Sequence, residues 1–242
     1  MQFDIPMSTK GCMDFGSMAT TGLGEVPQTQ VQQTVVQQQV SQSPAQPRQR
    51  PQGNGVHLRK GQKVNLAQAG EVLNNIQVCL GWDLVNQACD LDASAFMLGT
   101  DNRIIGDDWF VFYGQTSSPD GSVRHSGDSD GNGVGDDEII SINLQSVNPN
   151  CKKIVFVVTI YEALERGLNF SMVSNAYVRV VNQATGVELV KFTLTDYYAN
   201  VTSMVVGEVY NHNGQWKFNA VGDGVAKDLA GLCGMYGVNV AD

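Results

Sequence analysis

Ile154-Val155-Phe156-Val157-Val158-Thr159-Ile160 is the stretch on which the reading of the fold turns. It is almost wholly apolar and β-branched, which predicts a central strand buried on both faces. Working outward, Ile140, Ile142 and Leu144 alternate with Ser141 and Asn143, the period-two pattern of a half-buried strand. Lys191-Phe192-Thr193-Leu194 alternates in the same way. Trp109–Tyr113, Ala176–Val181, Met204–Tyr210 and Gln215–Val221 are further strand candidates. Ser118-Pro119-Asp120-Gly121, Asn148-Pro149-Asn150 and Asn211-His212-Asn213-Gly214 separate them with turn chemistry. Many short strands at this spacing predict a mainly β chain, an antiparallel β-sandwich. One or two short helices accompany it. Tyr161–Arg166 reads as a surface helix stopped by Gly167, and Asp223 as the cap of a helix carrying Val225, Leu229, Leu232 and Tyr236 on one stripe up to Gly237.

Residues 1–55 are a different polymer. They hold twelve Gln, five of the seven prolines and only Phe3 and Phe15 as aromatics. This Gln/Pro-rich N-terminal extension is read as a low-complexity arm, and residues 56–242 as the folded domain. The arm is a candidate for protein partners or self-association, with Ile5, Met7, Met13, Phe15 and Met18 as anchors. No apolar run is long enough to span a bilayer, and the N-terminus lacks a basic-then-apolar leader, so a cytoplasmic location is expected. The five cysteines are odd in number and none stands in Cys-x-x-Cys spacing, which argues against a disulfide framework or a zinc ribbon. The net charge of −9 falls entirely on residues 56–242, so nucleic acid is not a natural partner.

Chemistry concentrates in Gly127-Asp128-Ser129-Asp130-Gly131-Asn132-Gly133-Val134-Gly135-Asp136-Asp137-Glu138. Five carboxylates share this stretch, and no Lys or Arg occurs between Arg124 and Lys152. Like charges a few ångströms apart repel by about 1 kcal/mol or more per pair, so the stretch either stays open in water or folds around a cation. Its glycines allow carbonyls to turn inward, which favours the cation. Upstream stand Asp83, Asp90 and Asp92; on a strand, positions 90 and 92 share a side. Together the two groups can make an oxygen-only cage suited to Ca²⁺.

Rival readings fit less well. An EF-hand loop starting at Asp128 would need Glu where Ile139 stands. Gly127-Asp128-Ser129-Asp130-Gly131 matches a hydrolase elbow, but the glycines after it cannot start the required helix. The chain is therefore expected to be no enzyme.

Several segments together resemble the TerD family of tellurium-resistance and stress-response proteins. They are Val78–Asp83, Asp90–Phe96, Phe110–Tyr113, Asp120–His125, Gly127-Asp128, Gly135–Glu138, Ile154–Ile160, Val206–Asn211 and Gly214–Phe218. The resemblance covers Val56–Val240 and implies a Ca²⁺-binding β-sandwich without established enzymatic activity. Carried over by position, it implies Asp83, Asp90, Asp92, Asp128, Asp136, Asp137 and Glu138 as ligands; Asp130 and Asn132 fall where the family loop varies and are secondary candidates. Trp109 stands where the family commonly carries an Asp, with Asp107 and Asp108 close by. Two functions follow as expectations: a stress or tellurite-tolerance protein acting through partners, or an assembly protein whose Ca²⁺-rigidified domain docks neighbours through residues 1–55.

Overall fold

A computed structural model describes residues 53–68, 70–85, 89–127, 135–196 and 199–240. Twelve strands and two α-helices are assigned among them. In chain order they are β1 (Val56–Leu58), β2 (Lys63–Asn65), β3 (Asn75–Leu84), β4 (Leu91–Leu98), β5 (Phe110–Val111), β6 (Val123–His125), β7 (Glu138–Asn143), β8 (Lys153–Ile160), α1 (Ala163–Arg166), β9 (Val173–Asn182), β10 (Glu188–Thr193), β11 (Ser203–His212), β12 (Gln215–Val225) and α2 (Leu229–Tyr236). They form two six-stranded sheets, β1-β10-β9-β3-β7-β6 and β2-β12-β11-β8-β4-β5. Every pairing is antiparallel except that of β1 with β10. The β-sandwich expected from the sequence is present, with one parallel edge pair. No helix among the described residues is long and apolar enough to cross a membrane.

The unalternating run Ile154–Ile160 is explained by two cores. Ile154, Phe156, Val158 and Ile160 pack between the sheets with Ile76, Val78, Ile140, Val178 and Met204. Val155 and Val157 face the other way, into a second cluster with Phe96, Phe110, Phe112, Leu232 and Cys233. The second sheet is thus covered on both faces, and β8, hydrogen-bonded to β11 and β4, must be apolar on both. Phe96 stacks on Phe110 with ring centroids 4.4 Å apart and meets Tyr236 of α2 at 4.6 Å.

Two expectations need correction. The C-terminal helix does not begin after Asp223: β12 continues to Val225, which pairs with Ser203, and the helix starts at Leu229. Its cap is Asp228, whose Oδ1 accepts the Gly231 N–H at 2.8 Å, while Asp223 pairs with Lys60 on the surface. Val225 still packs against the second core, so the apolar stripe is real but spans two elements. Trp109–Tyr113 is not one strand either: a 3₁₀ turn over Asp107–Trp109 leads into a two-residue edge strand, Phe110–Val111. The expected helix at 161–166 is present as α1, ended by Gly167 at φ 64°.

Candidate metal centre

The acidic stretch joins β6 to β7, antiparallel neighbours at one edge of the first sheet. Asp128 and Asp130 lie outside the described residues; its two roots do not. At the first root the Ser126 N–H donates to Ile139 O at 2.9 Å, and the Gly127 N–H donates to His125 Nδ1 at 3.0 Å. Because Nδ1 accepts, the ring proton is assigned to Nε2. Nε2 stands 2.8 Å from Glu138 Oε2 and 3.0 Å from Ala93 O on β4. The His125 and Glu138 side chains are 1% and 3% exposed, so the pair is sealed in the interior, and the reach of Nε2 to Ala93 O ties the first sheet to the second.

At the second root, Asp136 faces the opposite side of the first sheet. Its Oδ1 accepts from Arg179 Nε at 2.9 Å and from Tyr177 Oη at 2.8 Å, and its Oδ2 accepts from Arg179 Nη2 at 2.6 Å. Arg179 lies on β9, directly opposite Cys79 of β3, and reaches across β3 to the start of β7. Gly81 on β3 leaves the space that the Tyr177 ring occupies; a Cβ there would collide with the ring and its hydroxyl. The hydrogen bonds to Asp136 drive the Arg179 guanidinium further into its charged form, against the opposing effect of burial. Burial, then the nearby Asp136 charge, pushes the Cys79 thiol up to about 12.

Asp137 continues the β3–β7 ladder. Its N–H donates to Leu80 O at 2.8 Å, and its Oδ2 accepts the Trp82 N–H at 2.8 Å. The ladder shifts register between Gly81 and Asp83 on the β9 side. Asp83 follows; its Oδ2 accepts from Asn175 Nδ2 at 2.9 Å, and Asn175 is held at φ 51°. Asp83, Asp137 and Glu138 are therefore gathered at one pole by adjacent strand ends. Asp90 stands just before β4 and Asp92 is the second residue of that strand, at the same pole. Asp90 precedes the strand, exposed, its carbonyl accepting the Tyr161 N–H at 2.8 Å. Ala93, Ala95 and Met97 face the inter-sheet core, so alternation sends Asp92 to the outer face with Ser94 and Phe96. Asp107 is engaged elsewhere, accepting from Asn239 N and Nδ2 at 2.9 Å each.

Sequence reasoning missed Arg179 and His125. Arg179 is 43 residues from Asp136, and nothing in the sequence marks it as a partner. His125 stands beside the acidic stretch, and only that adjacency marks it. Among the described residues no group of three or more His, Cys, Asp or Glu side chains is set to hold a metal. The gathered donors are nevertheless all carboxylate oxygens, the chemistry a hard divalent cation takes.

A two-sheet sandwich carrying a pinned acidic, glycine-rich connection at one pole defines a class of loop-bearing β-sandwich domains. The TerD domain family model matches residues 55–236, and the chain belongs to this family. It is 45% identical over 190 residues to the tellurium resistance protein TerD of Serratia marcescens, covering 77% of this chain and 99% of that protein. It is 42% identical over 190 residues to general stress protein 16U of Bacillus subtilis (strain 168), covering 76% of this chain and 98% of that protein. The crystal structure of a TerD homologue from Streptomyces coelicolor A3(2) shares the fold, with a TM-score of 0.53, 23% identity, and coverage of 70% of this chain and all (100%) of that one.

Proposed function

We propose that this protein is a non-enzymatic, Ca²⁺-binding β-sandwich of the tellurite-resistance and stress-response type, acting through protein partners that engage residues 1–55. The observation that carries the reading is the mounting of the acidic connection. Gly127 is held by His125 at one root and Asp137 by the Trp82 N–H at the other, at the pole where Asp83 and Asp90 also lie. Fixed roots reduce the entropy lost when the intervening carboxylates close on a cation. Asp83, Asp90 and Asp137, with Asp128, Asp130 and backbone carbonyls of the loop, would hold the ion, which supplies charge neutralisation and order. Asp136 and Glu138 serve from outside through Arg179 and His125. The relatives' names, tellurium resistance protein and general stress protein, support the physiological half of the reading.

Calorimetric titration tests it. Ca²⁺ should bind with roughly submicromolar to micromolar affinity, and Asp83→Asn with Asp137→Asn should abolish the heat. At a hundredfold excess over Kd, Ca²⁺ should add about 2.7 kcal/mol of stability. Absence of both the heat and a rise in melting temperature in the wild type refutes the reading. A strain lacking the protein should regain tellurite tolerance from the wild-type copy and not from the double variant.

A further inference from the structure

The outer face of the first sheet carries a second feature that metal binding does not use. Glu188 opens β10 with its side chain 2% exposed, its Oε2 lying 3.4 Å from Arg179 Nη1. Its Oε1 is buried, and among the described residues no donor reaches it. Over this carboxylate runs the chain leading out of residues 1–52. A Cβ at Gly53 would stand 2.5 Å from both Cβ and Oε2 of Glu188; one at Gly55 would stand 2.9 Å from its Cγ and 3.0 Å from its Oε1 and backbone O. Only glycine lets the backbone lie this close. One guanidinium thus stands between two carboxylates, Glu188 beneath the arm root and Asp136 at the loop root. Lys191, paired opposite Arg179, sits with Nζ 4.4 Å from the Tyr177 ring centroid.

We propose that Glu188 is the seat of the arm root, residues 53–55, and that the Glu188–Arg179–Asp136 relay couples occupancy of this seat to the order of the acidic loop. The seated backbone keeps water from Glu188, which strengthens its hold on Arg179 and fixes the fork that Asp136 grips. A partner that draws residues 53–55 away hydrates Glu188, loosens Arg179 and frees the second root of the loop. Linkage makes the effect reciprocal: a disturbed loop root loosens β1. The relay adds a means of regulation to the proposed cation loop and rests on that reading for its purpose, yet it acts on the loop root whichever cation binds.

Hydrogen exchange on the full-length, metal-free chain tests it. Gly53→Val should speed exchange of the Trp82 and Gly127 amides about tenfold, a change of about 1.4 kcal/mol in opening. The neighbouring exposed Asn54→Val should leave them at wild-type rates, as should the Leu144 amide, bonded to Asn74 O, in every variant. Asp136→Asn should speed exchange across Val56–Leu58. Wild-type rates at Trp82 and Gly127 in Gly53→Val overturn the relay, even where β1 itself opens. Should Asp136→Asn not fold, Gly53→Val, at the chain's surface root, still decides. Ca²⁺ uptake by the wild type is scored separately: its absence ends the calcium reading while the exchange pattern still judges the relay.

Discussion

Replacing Arg179 by Met removes the guanidinium and keeps most of the stem. The side chains involved are 15% exposed for Arg179, 7% for Asp136 and 2% for Glu188, so two buried carboxylates lose their shared cation at once. Breaking a buried pair by removing one partner costs about 3–5 kcal/mol, because the remaining charge stays buried without compensation. In a domain of this size that is a fall of roughly 6–20 °C in melting temperature. Arg124→Met is the control: that side chain is exposed, with a 3.3 Å contact to Gly121 O, and should cost less than about 0.5 kcal/mol. Asp136→Asn combined with Arg179→Met should cost less than the sum of the two, since the residues act in one network. Urea unfolding followed by circular dichroism measures the wild type, the three single variants and the double variant. A stability for Arg179→Met within about 1 kcal/mol of wild type refutes the view that this ion pair fixes the loop root.

Three further outcomes are expected. Phe96→Ala, which removes the ring stacked on Phe110 and tilted against Tyr236, should cost about 3–5 kcal/mol in the same unfolding experiment. Asp228→Ala should cost about 1 kcal/mol through its lost cap, whereas Asp223→Ala, half of an exposed pair with Lys60, should lie near zero; equal effects would contradict the assigned helix start. Burial pushes the Cys79, Cys151 and Cys233 thiols up to about 12 from an ordinary 9.0. A thiol whose folded pKa is raised stabilises fully below the unfolded value, and that contribution is lost as pH rises from about 9 to about 12. Stability measured across that window should therefore fall, and iodoacetamide at about pH 8 should label these three only in denaturant.

The strands were legible wherever the pattern reports burial. Ile154–Ile160 and Ile140–Leu144 show their environments directly, because one lies between two cores and the other between a core and solvent. The ends were not legible. Asp223 and Asp228 are equally good caps in sequence, and only the continuation of the β11–β12 ladder to Val225 decides between them. The acidic stretch was found at once, but what its carboxylates touch was not. Arg179 approaches Asp136 through sheet order, with β9 beside β3 and β3 beside β7, and register across three strands leaves no trace in local composition. Asp90 stands one residue before β4, which begins at Leu91, while Asp92 lies within it, a boundary that composition does not mark.

The four edge strands have a consequence for crowding. β1, β2 and β6 are three residues long and β5 is two, while the interior strands run from six to eleven. A sheet margin recruits another chain by offering a row of unpaired backbone groups, and a margin of two or three residues is too short a template. A domain with such margins is a poor template for sheet-to-sheet fibre growth. Among the described residues, association between copies is left to side chains rather than to backbone pairing.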